Sequence, residues 1–253
     1  MGLGARRIGR EAIGVGESES EGGRRFGPGR VRGDRETIAA RRSEPLRFEA
    51  MPEWQRLARA IRRQVAASVE LDVDPSILGG LADRAEALAA ELEAGATGKR
   101  VGLVEAEWHE TGAMHYLPFS PIMGGLNPAS IGVEIHPEPS IDGVACEVVL
   151  GEVVEGGTGL VHGGMIAAIY DEVLAAANLV RRVGGPTGRL IVHYRKPTPL
   201  HEPLRFEAWV DRLEGRKILT RGRCLAGGEL VTEAEGLFVH FGLDPDAPDW
   251  HER

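Results

Sequence analysis

The sequence predicts an α+β fold: one long apolar helix covered by antiparallel strands, with a helical extension ahead of it. Three observations carry this. Apolar residues between 51 and 96 recur at spacings of three and four, the period of an amphipathic helix. From residue 131 the period shortens to two, as in half-buried strands. Between the first strands and the rest lies Leu160-Val161-His162-Gly163-Gly164-Met165-Ile166-Ala167-Ala168-Ile169-Tyr170-Asp171-Glu172-Val173-Leu174. Here a glycine turn runs into a helix that is apolar almost all round. Such a helix must be covered, and the strands that follow supply the cover.

Residues 1–45 are rich in Gly, Arg, Glu and Ser and poor in large apolar side chains. They cannot bury enough surface to offset the entropy of ordering, so disorder is expected there. The change of composition at Met51 makes that residue a candidate start. Residues 46–100 form the helical extension. Trp54, Leu57, Ala58, Ile61 and Val65 make one stripe, with Pro52 where a first turn tolerates proline. Ile77, Leu78, Leu81, Ala85, Leu88, Ala89 and Leu92 make a second after Asp74-Pro75, and Gly95 and Gly98 close it. The extension is expected to pack on the main domain or across a dimer, being short for a core of its own.

Residues 101–253 form the main domain. The piece 115–128, with its prolines, glycines and apolar side chains, reads as an ordered loop. His109 and His115 are not spaced with carboxylates or thiols as metal ligands are. Ile131, Val133 and Ile135 alternate with polar positions, giving a first strand, and 143–150 a second after the Asp142-Gly143 turn. The helix spans about 163–182. Strands are then expected over 187–194, 204–213, 217–224 and 230–241, with Glu214-Gly215 and Gly227-Gly228 as hairpin turns.

The formal net charge is −8, which argues against a nucleic-acid protein. The two cysteines, Cys146 and Cys224, lie far apart. They suggest neither a disulfide framework nor a metal pair, so a reducing cytoplasm is expected. No apolar run approaches the roughly 20 residues that span a bilayer, and the N-terminus has no apolar signal segment. No membrane partner is expected.

From Met165 to Val180 only Asp171 and Glu172 are charged. They point about 100° apart, so one reaches water or a partner while the other faces a site. An ionised carboxylate among apolar residues is costly unless it is paired or used. Gly163 and Gly164 let a ligand approach the backbone, and the first N–H groups of the helix lack internal partners. That terminus attracts a polarised carbonyl or oxyanion. Turn and carboxylate together suit hydrolysis of an activated acyl group. His162 and Asp171 are nine residues apart, or roughly 13 Å along one helix. If both act on one carbonyl, the turn comes from one subunit and the carboxylate from another.

Val161-His162-Gly163-Gly164 with Asp171 nine residues past the histidine resembles the hotdog-fold acyl-CoA thioesterases of the PaaI-like branch. Thr187-Gly188-Arg189-Leu190-Ile191-Val192-His193-Tyr194-Arg195-Lys196-Pro197-Thr198-Pro199-Leu200 and Glu214-Gly215-Arg216-Lys217 extend the resemblance over about 120–242. The resemblance implies a central helix wrapped by a curved antiparallel sheet, in a homodimer or homotetramer. It makes Asp171 the nucleophile or general base, has the Gly163 N–H polarise the thioester carbonyl, and has His162 position it. Thr187 would orient the attacking water. Gly164 would contact substrate, and Arg195 and Lys196 the coenzyme A phosphates. No cofactor or metal is implied, since coenzyme A is part of the substrate. Many members carry an asparagine six residues before the histidine, where this chain has Gly156. The alternative is a non-catalytic acyl-CoA-binding or sensing protein of the same fold. A hotdog dehydratase or hydratase would need a histidine and acid in another arrangement.

Overall fold

A computed structural model describes residues 51–96 and 119–240. The expectations for 1–45, 97–118, His109 and His115, and residues past 240 lie outside these. Helices α1 (Met51–Val69) and α2 (Pro75–Gly95) come first, then strands β1 (His136–Glu138) and β2 (Gly143–Val149). The long helix α3 (Gly163–Val180) follows. Strands β3 (Thr187–Tyr194), β4 (Pro203–Glu214), β5 (Lys217–Ala226) and β6 (Glu229–Val239) complete the order.

The six strands form one sheet in the order β1-β2-β4-β5-β6-β3, and every pair is antiparallel. The meander β4-β5-β6 builds its centre. The β4–β5 loop is Gly215-Arg216, with only Gly215 at positive φ. The β5–β6 loop is Gly227-Gly228, both at positive φ, a conformation that glycine adopts without strain and that matches the twist of a hairpin. Strand β3 does not pair with its sequence neighbour. It crosses to the far side and pairs with β6, and its other edge pairs with no strand among the described residues.

Helix α3 lies in the hollow of this sheet. Ile166, Ile169, Tyr170, Val173, Leu174, Ala176, Ala177 and Asn178 are buried against Val144, Leu204, Phe206, Ile218, Cys224 and Phe238. Tyr170 and Phe206 meet edge to face, with ring centroids 5.2 Å apart. The Tyr170 hydroxyl donates to the Thr232 carbonyl at 2.9 Å, which satisfies the one polar atom of a fully buried ring. At Gly222 an added Cβ would stand 2.9 Å from the Glu207 carbonyl oxygen and 3.2 Å from the Tyr170 ring. The helix rests on that bare backbone. Register shifts at Val210/Arg212, Cys224/Leu225 and Thr187/Arg189 insert extra residues that bend strands, and so let the sheet curve round the helix.

Two expectations change. Residues 131–135 alternate in burial, with Val133 and Ile135 buried, but form no strand. Their amides go to a loop instead: Ile131 N–H donates to the Pro121 carbonyl and Val133 N–H to that of Ile122. Gly132, at φ 77°, breaks the extended run. Ladder pairing begins only at His136. Helix α3, with 18 residues of mean hydropathy 1.3, also meets the length and apolarity of a membrane span. Its apolar surface is used by the sheet around it.

Helix α1 lies against residues 152–154. Ala58 is its one buried residue among those described, and the Arg62 guanidinium donates to the Asn127 carbonyl at 2.7 Å.

Candidate active site

The glycine turn is built by the loop before it. Gly156 N–H donates to the Leu160 carbonyl, His162 N–H to that of Val154, and Val161 N–H to that of Thr198. The Glu155 carboxylate accepts from Gly159 N–H at 2.7 Å. A Cβ at Gly156 would lie 2.8 Å from the His162 Cα. A side chain at Gly156 would therefore require this turn to shift.

His162 is the N-cap of α3, and its Nδ1 accepts from Gly164 N–H at 3.0 Å. An amide can only donate, so the neutral imidazole carries its proton on Nε2. Nε2–H is thus left as a donor. The Tyr194 hydroxyl donates to the Gly163 carbonyl at 2.7 Å. One peptide plane, Gly163–Gly164, is therefore clamped at both ends, its oxygen by Tyr194 and its N–H by His162. The preceding amide, Gly163 N–H, has no hydrogen-bond acceptor among the described residues. It stands at the positive end of an 18-residue helix, free to meet a developing oxyanion. The N–H of Gly164, expected to contact substrate, is held by His162 in this chain.

Asp171 is not buried within one chain. It is exposed, and its Oδ1 accepts from the Thr187 hydroxyl at 2.7 Å. The sequence places an acid in an apolar helix and so reads it as enclosed; the sheet of a single chain leaves that side of the helix open. Glu172 takes the other direction. It is half buried, and its Oε1 accepts from the Ser120 hydroxyl at 2.6 Å. Ser120 also caps its own loop, accepting from Ile122 N–H and Met123 N–H. The other Asp171 oxygen has no hydrogen-bond partner among the described residues, and Glu172 anchors a loop.

Strand β3 links the two halves. Its first residue, Thr187, holds Asp171 and its last, Tyr194, holds the turn. A shallow cavity of about 360 Å³ opens beside the turn, lined by Leu160, Val161, Gly163, Ile166 and the segment Tyr194–Thr198. Asp171 does not line it. Arg195 and Lys196 sit at its rim, their amides both donating to the Val231 carbonyl. Their side chains pair with Glu233 and Glu229. Both pairs are exposed, where an ion pair contributes about 0–1 kcal/mol, so an incoming phosphate can compete for them.

Cys146 and Cys224 are buried in the core, and burial pushes each thiol up to about 12. Neither supplies a thiolate nucleophile near neutral pH. Tyr194 and Ser120 are the site residues that the motif did not assign. The tyrosine was legible as part of the Tyr-Arg-Lys-Pro ending, but its target lies 31 residues earlier.

A thioesterase superfamily model matches residues 158–231. The acyl-coenzyme A thioesterase THEM4 of Xenopus laevis is 34% identical over 91 residues, 35% of this chain and 41% of that protein. The protein of the same name from Bos taurus is 33% identical over 100 residues, covering 38% and 39%. The chain thus spans about two fifths of the curated relatives it matches. A solved thioesterase superfamily protein is 30% identical, with 78% of this chain and 94% of that one covered and a TM-score of 0.65.

Proposed function

The chain belongs to the thioesterase superfamily, and from that premise we propose that it hydrolyses acyl-CoA thioesters to a free carboxylic acid and CoA. One observation carries the reading of the site. Strand β3 has an edge that pairs with no strand among the described residues, with Asp171 held at its start and the Gly163 turn at its end. Antiparallel pairing of β3 with a second copy brings the start of one strand beside the end of the other. Each Asp171 then faces the other copy's turn, across a two-fold axis that makes two such sites.

The thioester carbonyl oxygen accepts from Gly163 N–H, with His162 Nε2–H as a second donor. Asp171 acts from the other side in one of two ways. As a base it takes a proton from water, and the hydroxide adds to the carbonyl carbon. The oxyanion collapses, the C–S bond breaks and CoA leaves as the thiolate. As a nucleophile it forms an acyl-aspartyl anhydride with loss of CoA, which water then cleaves. Thr187 orients the carboxylate in both. The cavity beside Tyr194 takes the thioester arm, and Arg195 and Lys196 exchange their carboxylates for CoA phosphates. No cofactor enters, since CoA is part of the substrate. The PaaI-like branch, a homodimer or homotetramer, and a cytoplasmic site complete the proposal. The last is supported by two unpaired, buried cysteines.

The test is thiol release from aryl-, short-, medium- and long-chain acyl-CoAs, wild type beside Asp171→Asn. The expected outcome is turnover on part of the panel and a fall in kcat of at least about a hundredfold in the variant. Tight binding of acyl-CoA without thiol release would establish the non-catalytic alternative. Unchanged turnover in Asp171→Asn would remove Asp171 from the mechanism.

A further inference from the structure

Helix α2 contains no buried residue. Yet Leu78, Leu81, Ala85, Leu88 and Leu92 step along it by three, four, three and four. That is the 3.5-residue repeat of a two-stranded seam, the a and d positions of a heptad. Leu78 and Leu92 are 45% and 41% exposed, and Ile77 beside them is 51% exposed. The helix is well begun on its own. Asp74 caps it, accepting from Ser76 N–H at 2.8 Å, and Pro75 occupies its first turn.

We infer that α2 is a self-recognition helix that pairs antiparallel with α2 of a second copy of this chain. The flanking positions identify both partner and direction. With Leu78 at a, the e positions are Ala82, Ala89 and Ala96, and the g positions are Ile77, Arg84 and Glu91. In a parallel pair g faces e, which would set Arg84 and Glu91 against alanines. In an antiparallel pair g faces g. With Ala85 of one copy opposite Leu88 of the other, Leu81 meets Leu92, Arg84 meets Glu91, and Glu91 meets Arg84. Every contact is repeated by symmetry, as a two-fold interface requires.

Within one chain Arg84 and Glu91 lie roughly 10 Å apart along the helix. Neither makes an ion pair among the described residues. The alanines at e and at the central a position let the helix axes approach closely. The contact is independent of the β3 edge and of the thioesterase reading.

The test is the mass of the full chain by sedimentation and light scattering over a range of concentrations. Arg84→Glu alone, or Glu91→Arg alone, sets like charges face to face twice in each pair. Each is expected to weaken association by about tenfold or more, read as a shift of the dissociation midpoint to about tenfold higher protein concentration. The double variant Arg84→Glu with Glu91→Arg is expected to restore the wild-type mass, because the pairs re-form with signs exchanged. Leu81→Ser with Leu88→Ser is expected to halve the mass with no such rescue. Leu81 and Leu88 are part-buried within the single chain, so far-ultraviolet circular dichroism of each variant is compared with wild type, and an unchanged spectrum is expected because no residue of α2 is fully buried. Single reversals that leave the mass unchanged would overturn the inference. So would a double variant that stays dissociated, because the face is then covered by something other than its own copy.

Discussion

At the scale of single residues, the proposed chemistry rests on Gly163 and Tyr194. The useful group of Gly163 is an N–H, and proline removes an N–H while keeping a helical φ. Gly163 is the first residue of α3, where proline is tolerated. His162 before it has φ −59° and ψ 128°, which a following proline accepts. Gly163→Pro is therefore expected to keep the fold and lower kcat by about 10²–10³, the effect of one lost oxyanion donor. Circular dichroism beside steady-state kinetics reads both. Tyr194→Phe removes the hydroxyl that clamps the Gly163–Gly164 peptide but leaves the ring lining the cavity. The fall, about tenfold for one positioning hydrogen bond, should appear in kcat with KM little changed. A change confined to KM would make Tyr194 a binding residue only.

At the scale of elements, the sheet has an apolar face for α3 and a charged face outside it. The outer face centres on Glu207, which is 5% exposed. It accepts from Arg205 at 2.8 Å and Arg223 at 2.7 Å. Burial works against its charge, but the two guanidiniums outweigh this and hold its carboxyl below the usual range. Arg205 also reaches Glu138 on β1 and Glu147 on β2, so the cluster ties β1, β2, β4 and β5 together. A depressed folded value means stability that is present above the unfolded value, about 4.3, and lost as acid carries the pH down through the folded one. Glu207→Gln is expected to cost about 1–2 kcal/mol at pH 7, a figure reduced because both guanidiniums are partly in water. Urea unfolding at pH 7 and near pH 3 checks this: the gap between variant and wild type should close in acid.

At the scale of the whole molecule, a site shared between chains makes a prediction that a site within one chain does not. Asp171→Asn and Gly163→Pro proteins are each expected to be inactive alone. Co-refolded in equal amounts, half of the dimers are mixed. In each mixed dimer one site carries both lesions and the other carries neither. Activity should return to about one quarter of wild type. No recovery on proven subunit exchange would place each site within a single chain.

Several features were legible in the sequence because the signals are local. The helical stripes of the extension, the α3 helix, the hairpin glycines and the His-Gly-Gly turn all follow from periods, caps and φ requirements within a few residues. The spacing of His162 and Asp171 alone implies that one helix cannot bring them together. Tertiary structure decided what depends on distant partners. Residues 131–135 alternate like a strand, but their amides find the 121–122 loop, and burial periodicity cannot tell a ladder from a loop. Asp171 looks enclosed by composition, but enclosure is a property of what covers a helix face, and one chain leaves that face open. The crossing of β3 to the far edge brings Thr187 to Asp171 and Tyr194 to Gly163, contacts spanning 16 and 31 residues. Period and propensity are short-range quantities. Which strand ends at an edge, and which side chains it carries there, is settled only when the whole sheet closes round the helix.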